Sequence, residues 1–367
     1  MPIVLVTLLA LLLALGLPAA GVWLAGKPLA LYLEFPPITR YVRHAGFSWT
    51  VFVLMASALV LTLSPFLLRL RRWKFDAQRS TFSGLVTPRR PFPWWGWLAL
   101  ATGAAAWLLA WTRFAWFAPL QLFTFSPLWF SYIGAVNALT WKRTGRCMLL
   151  HQRRKFILLF LASAAFWWYF EYLNRFVQNW YYVGVTGLTP AQYFIFATLP
   201  FSTVLPAVMG TCDLLHSVSC FRAWEAFTPL SLGHPRALAA MALLAGAVTL
   251  ACIGVWPDYF FPLLWVSPLL IMTGLQALSG RPTIFAPLAA GNWRRICLLS
   301  LSALICGVFW EMWNYHSLAK WVYAVPYVQR FRIFEMPLLG YAGYLPFGLE
   351  CAVIADAVAG EWRKGRA

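Results

Sequence analysis

Apolar runs of about twenty residues recur along the whole chain, and they leave few folds open. As a helix, a run of that length matches the roughly 30 Å hydrocarbon core of a bilayer. The chain opens with MPIVLVTLLALLLALGLPAAGVWLAG, and runs of similar character follow throughout. Of its 367 residues 61% are hydrophobic and only 11% charged, about half the charge of an average soluble domain. A buried soluble core would need far more polar surface than this to cover it. Within a bilayer every backbone N–H and C=O must find its partner inside the protein, so the spans read as helices. The expected fold is therefore all-α, a polytopic transmembrane bundle of about ten helices. They fall near 3–25, 47–67, 94–112, 115–140, 157–176, 193–217, 237–255, 259–278, 296–315 and 334–356. Pro119 and Pro127 interrupt the fourth, as membrane helices tolerate. The opening run lacks a basic flank and is too long for a signal peptide, so it reads as a retained first helix.

The net charge is +18. Its cations lie between apolar runs, which speaks for topology and contact with anionic lipid heads rather than for nucleic acid. Taking the loops alternately, one set with the C-terminal tail holds 21 of the 29 Lys and Arg, and the other holds 8. By the positive-inside rule both termini are cytoplasmic, in the inner membrane of a bacterium. The stretch RRWKFDAQRSTFSGLVTPRRPFP is then a basic cytoplasmic loop. The external loop LYLEFPPITRYVRHAGFSW is expected to lie along the interface or cover an outer cavity. Trp94, Trp95, Trp97, Trp180 and Trp321 suit interfacial belts. Seven scattered cysteines without a CxxC pair read as small buried hydrophobes.

Residues 1–150 form an N-terminal four-helix region, and 151–367 hold two repeat units, 157–217 and 296–356, separated by two helices. Glu171 and Asn174 in FEYLN match Glu311 and Asn314 in WEMWN, and Leu205-Pro206 matches Leu345-Pro346, all at an offset of 140. NWYY (179–182) resembles KWVY (320–323), and IFATLP (195–200) resembles IFEMP (333–337). Units that start four helices apart share an orientation, and sites often lie where such parallel repeats meet.

Carboxylates inside a bilayer cost about 3 kcal/mol on insertion scales and tend to face the bundle interior. Glu171, Asp213, Glu311, Glu335 and Glu350 fall in or beside the repeat helices. Asn174 and Asn314 follow their glutamates at i+3, on the same helix face, and can donate to the carboxylate or to a ligand. The second unit has Glu335 and Glu350 where the first has Ala197 and Gly210. A carboxyl walled by apolar groups can hold a proton and act as a general acid. The faces of Trp310, Trp313, Trp321 and Tyr323 can stabilise a developing cation. This pattern suits a polar pocket that protonates an alkene or epoxide. Glu311 is the expected donor, Glu335 or Glu350 its partner and Asn314 its orienter. Glu171, Asn174, Trp310, Trp313, Trp321, Tyr323 and Asp213 are expected to bind substrate. The bland alternative is that the Glu–Asn pairs only glue the units together. His316 is offset around the helix from Glu311 and reads as interfacial. No metal-spaced His pair and no HExxH, GxGxxG, Walker or GxSxG motif occurs, so neither metal nor cofactor is expected.

The second unit's order is Trp310-Glu311, Trp321, Tyr323, Glu335-Met336-Pro337, then Leu345-Pro346 and Glu350. It resembles the repeated unit of the small membrane-embedded lycopene cyclases, over about 60 residues, or 120 with the first unit. The family's adjacent glutamates after proline are absent, and no acid stands beside Pro206. Two segments, LEFPPITRYVRHAGFSW and FEMPLLGYAGYLPFGLE, also look like those of uncharacterised bacterial multi-spanning proteins. The resemblance implies an isoprenoid cyclase or isomerase. The expected partners are membrane lipids and a hydrophobic small-molecule substrate. A lipid transporter with Glu350 and Asp213 as an inner gate is the second expectation, and a non-catalytic scaffold the third.

Overall fold

The computed structural model describes residues 3–79, 90–185, 187–231 and 233–360. Residues 80–89, with Arg89, and the tail from residue 361, with Arg363, Lys364 and Arg366, lie outside the described residues, although their cations entered the topology argument. Helices follow one another as α1 (Ile3–Leu24), α2 (Leu29–Tyr32), α3 (Trp49–Arg79), α4 (Trp94–Trp111), α5 (Phe125–Thr144), α6 (Met148–His151) and α7 (Arg153–Val177). After them come α8 (Pro190–Phe201), α9 (Val204–His216), α10 (Pro235–Cys252), α11 (Pro257–Phe260), α12 (Ser267–Leu278), α13 (Arg294–Tyr315) and α14 (Tyr344–Val358). Strand β1 (Trp180–Val183) pairs antiparallel with β2 (Lys320–Tyr323), and β3 (Arg332–Ile333) with β4 (Met336–Pro337). The chain is an all-α, multi-pass membrane protein. Among the described residues, seven helical segments are long and apolar enough to cross a bilayer, or nine if two bent pairs each count as one span.

The shortfall from ten has local causes. The expected span 115–140 is a 3-10 turn, Ala115–Phe123, bent by 109° from α4, followed by α5. Pro119 sits inside that turn, and Gln121 Nε2 ties it back to Leu109 O at 2.8 Å. Helix α5 carries Ser126, Ser131, Asn137 and Thr140, all buried. It packs between α4 and α9, where protein rather than lipid receives its polar groups. The expected span 259–278 is bent by 54° between Trp265 and Ser267, where Pro262 and Pro268 remove backbone donors.

Expected helix 193–217 is two helices. Thr189 and Gln192 form a reciprocal capping box before Pro190, so α8 starts where its first turn is best satisfied. The chain breaks after Phe201, between Pro200 and Pro206. Ser163 of α7 patches the break: its hydroxyl donates to Phe201 O at 2.6 Å and accepts from Leu205 N at 3.0 Å. This is how a membrane helix accommodates a proline, by borrowing a neighbour's side chain.

Helix ends sort into two faces. At one, Arg69 donates to Ala226 O (2.7 Å), Arg143 to Ser217 Oγ (2.7 Å), Arg294 to His216 O (2.6 Å) and Arg295 to Asp356 (2.6 Å). At the other, the loop after α2 is fastened to the end of α7. Gln178 accepts from the backbone N–H of Tyr41 and Val42, both at 2.8 Å, and donates to Thr39 O. Arg175 reaches Leu31 O (2.6 Å) and Glu34 (3.1 Å), while His44 meets Asp258 at 2.6 Å. This loop therefore covers the ends of helices, as its mixed aromatic and charged sequence allows. The β1–β2 ribbon lies at this same end, because β1 follows α7 directly.

Candidate functional site

Helix α13 buries Leu298, Leu299, Ser302, Ala303, Cys306, Gly307, Trp310, Glu311, Trp313 and Asn314. Spacings of three and four put these on one broad face toward the bundle. Glu311 is 0% exposed. Its Oε1 accepts from Tyr323 OH at 2.6 Å and from Tyr344 OH at 2.9 Å, while its Oε2 has no partner among the described residues. Trp321 Nε1 in turn donates to Tyr323 OH at 2.8 Å. Burial first, and the neighbouring glutamates second, hold the Tyr182 and Tyr323 phenols well above their ordinary range, so they remain protonated donors.

Glu171, on α7, has a matching environment. Its Oε1 accepts from Tyr182 OH (2.6 Å), Trp167 Nε1 (3.0 Å) and Trp180 Nε1 (3.1 Å). The two asparagines do the same job in both places. Asn174 Nδ2 donates to Trp180 O at 2.8 Å and its Oδ1 accepts from Trp180 N at 3.3 Å. Asn314 makes the same pair with Trp321, at 2.8 and 2.9 Å. Each therefore clamps the ribbon strand of its own segment. Neither orients a carboxylate, because the i+3 side chain reaches the returning backbone first. Pairing of the strands sets Trp180 opposite Tyr323 and Tyr182 opposite Trp321. The two centres are thus joined through one ribbon.

Between them lies a cavity of about 310 Å³, at the lower end of the range for small-molecule sites. Trp167, Trp180, Tyr182, Trp310, Trp321, Tyr323 and Tyr344 line it, together with Trp265, Phe201 and Met336. No charged side chain among the described residues does. Glu171 and Glu311 sit behind the aromatic wall, bonded to its hydroxyls and indole N–H groups.

The other expected site residues go elsewhere. Glu335 does not start a helix. It sits in the turn of the β3–β4 hairpin, where Phe334 takes a positive φ of 58°, and is paired with Lys320 at 2.5 Å. Pro337 and the 3-10 turn Leu338–Gly343 delay the helix to Tyr344. Glu350 is buried but does not line the cavity. Its Oε1 accepts from Leu269 N at 3.2 Å, in the first turn of α12, where backbone donors lack helical partners and a negative group is favoured. Asp213 also lies off the cavity wall. Trp313 packs away from the cavity, against Trp129 at 5.2 Å and Phe309 at 5.2 Å. Trp180 and Trp321 belong to the cavity wall rather than an interfacial belt, whereas Trp94 and Trp97 are exposed.

Two residues of the site were not among those expected from the sequence. Tyr344 replaces, at Glu311, the donor that Trp167 supplies at Glu171. The residue equivalent to Trp167 is Gly307, and the Tyr344 ring occupies the space this glycine leaves: a Cβ there would stand 2.4 Å from Tyr344 Cδ2. The second is Asn179, which also lines the cavity. No family model, curated protein or solved structure matches this chain.

Proposed function

We propose that the protein binds a hydrophobic lipid or isoprenoid in the aromatic cavity and modifies it by proton transfer. One observation carries this reading: a fully buried glutamate bonded to two phenols that form the cavity wall. Glu311 stores the proton, and Tyr323 or Tyr344 passes it. As the phenol gives its own proton to a substrate alkene, it takes one from Glu311. The resulting carbocation lies among π faces that favour it. Loss of a proton from the cation restores the acid, so the net change is an isomerisation or cyclisation. We read the matched contacts of Glu171 and Glu311 as an internal repeat, and the resemblance to lycopene cyclases supports an isoprenoid as the substrate class. The cationic helix ends on one face support a bacterial inner membrane with both termini in the cytoplasm.

A non-catalytic reading has its own support, because the Glu171 carboxyl already receives three donors and the asparagines serve as clamps. Whole-lipid extracts of cells expressing wild type, Glu311→Gln, Tyr323→Phe or no protein separate the two. A lipid altered by wild type alone supports catalysis. Identical extracts from well-expressed proteins sink it.

A further inference from the structure

Beyond the methionine thioethers, the polar side-chain groups of the wall are indoles, phenols and the amide of Asn179, whose Oδ1 is sealed from any surface. Trp167, Trp180 and Tyr182 direct theirs to Glu171, Tyr323 and Tyr344 to Glu311, and Trp321 to Tyr323. The indoles of Trp265 and Trp310 and the hydroxyl of Tyr193 make no hydrogen bond among the described residues. The Trp129 and Trp313 indoles are unbonded too, but they are buried outright and lie off the wall. Those of Trp265 and Trp310 line the cavity and keep accessible surface.

Geometry singles out Trp265 among these free donors. Its ring stacks on Phe170 at 4.9 Å and packs on Trp180 at 5.6 Å, which holds it in one orientation. Its N–H edge faces Gly343, itself on the wall. A Cβ on that glycine would stand 3.7 Å from Trp265 Cδ1 and 3.9 Å from Nε1, and would meet nothing nearer. Open space the size of a methyl therefore lies against the N–H edge. An indole N–H donates and does not accept, so whatever fills this space must bring an acceptor. A carboxylate or phosphate would meet no cation on the wall, at a large desolvation cost. A hydroxyl would bring a hydrogen of its own, and the side chains around Trp265, those of Phe170, Trp180 and Phe347, carry nothing to accept it. A neutral carbonyl oxygen accepts and brings no hydrogen. We infer that the cavity takes an apolar carbonyl compound, with the Trp265 N–H as donor to its oxygen and the aromatic wall around its hydrocarbon. This rests on the proposal that the cavity is a ligand site, and adds the oxygen chemistry of the ligand.

The test uses full-length protein in detergent and radiolabelled geranylacetone, a branched apolar ketone. Competitors are the unlabelled ketone, the alcohol its reduction gives and the hydrocarbon of the same skeleton. One hydrogen bond in a dry site corresponds to roughly tenfold in affinity, so the ketone should compete about tenfold better than the hydrocarbon on the wild type. The alcohol should compete no better than the hydrocarbon. In Trp265→Phe, ketone and hydrocarbon should compete equally. Gly343→Ala sets a methyl in ordinary contact with the N–H edge and should remove the preference as well. The backbone of Gly343 is helical, so alanine suits it, and this variant serves if Trp265→Phe does not fold. If the hydrocarbon or the alcohol matches the ketone on the wild type, the carbonyl assignment is overturned while the cavity stands as a ligand site. A ketone preference that survives Trp265→Phe, or Gly343→Ala in its place, also overturns the inference, since the oxygen is then held elsewhere on the wall. Absence of any saturable binding to wild type overturns the cavity reading, and this inference with it.

Discussion

Replacing Gly307 with alanine tests how the Glu311 centre is assembled. The new Cβ would lie 2.4 Å from both Cδ2 and Cε2 of Tyr344. Carbon atoms rest at about 3.5 Å or more, so the ring must retreat by about 1 Å. Tyr344 cannot retreat freely, because it is buried and its ring stacks on Trp310 at 5.8 Å. A 1 Å shift takes its 2.9 Å bond to Glu311 beyond hydrogen-bond reach. Overpacking of a core costs about 1–3 kcal/mol, and a hydrogen bond in a membrane bundle about 0.6–2 kcal/mol. Gly307→Ala should therefore destabilise by about 2–4 kcal/mol, and Tyr344→Phe by only the hydrogen-bond share. The deciding measurement is a double-mutant cycle by circular dichroism in mixed SDS and mild detergent. With Tyr344→Ala in the background the ring is gone, and alanine at 307 should cost less than half as much. A coupling of about 1–3 kcal/mol is expected for residues in contact. Additivity within about 0.5 kcal/mol would refute the reasoning, because alanine would then be acting on something other than Tyr344.

Three further outcomes follow from the same geometry. Glu350→Gln keeps an oxygen for Leu269 N and should cost under about 1 kcal/mol, whereas Glu350→Leu strands that donor and should cost about 1–3 kcal/mol; unfolding in SDS measures both. Asn314→Ala removes both bonds to Trp321 and should lower stability by about 1–3 kcal/mol, with hydrogen exchange rising in β2 before any other segment. Glu34 is held below its usual value, first by the Thr39 hydroxyl and then by the Thr39 N–H and Arg175. A carboxylate depressed in the folded state stabilises above its unfolded value and loses that contribution as pH falls through the folded one. A spin label at exposed position Ile38 should thus be restrained at neutral pH and loosen only once the pH falls below the ordinary range of a glutamate. Arg175→Met should loosen it at neutral pH as well.

How much of this was legible depended on the range of the forces involved. Length and apolarity announce a membrane helix locally, so α1, α7, α10 and α13 stood near their expected places. Breaks at Pro119, Pro200 and Pro262 were harder, since a proline breaks a membrane helix only where no neighbour supplies the missing bond. Ser163, more than 30 residues away in sequence, decides the geometry at Leu205. The i+3 spacing of Glu171 and Asn174 put both on one face, and so they are. It could not say that the asparagine would meet backbone and the glutamate side chains, because the ribbon strand that supplies both is placed by its partner strand 140 residues away. Depth misled at Glu335 and Glu350. An acid next to a hydrophobic run carries the same letters whether it faces a cavity, a lysine or a helix N-terminus.

The two centres differ in the kind of donor each carboxyl receives, and that difference bears on chemistry. An indole N–H donates a hydrogen bond but does not exchange its proton as an acid near neutral pH, whereas a phenol can give one proton while taking another. Glu171 receives two indoles and one phenol. Glu311 receives two phenols, both on the cavity wall, and keeps its second oxygen unbonded among the described residues. If proton transfer is the function, the Glu311 centre has two routes to a ligand and the Glu171 centre one. Glu311→Gln should then abolish the lipid change seen with wild type, a loss of at least about 100-fold for a general acid. Glu171→Gln should retain most of it, with any deficit following the amount of folded protein. Loss of the same size in both variants, at equal folded protein, would mean that the two carboxyls act together and that the phenol count does not decide between them. An unchanged lipid profile in Glu311→Gln would leave both glutamates as fastenings for the ribbon, a role their aromatic donors are equally well placed to serve.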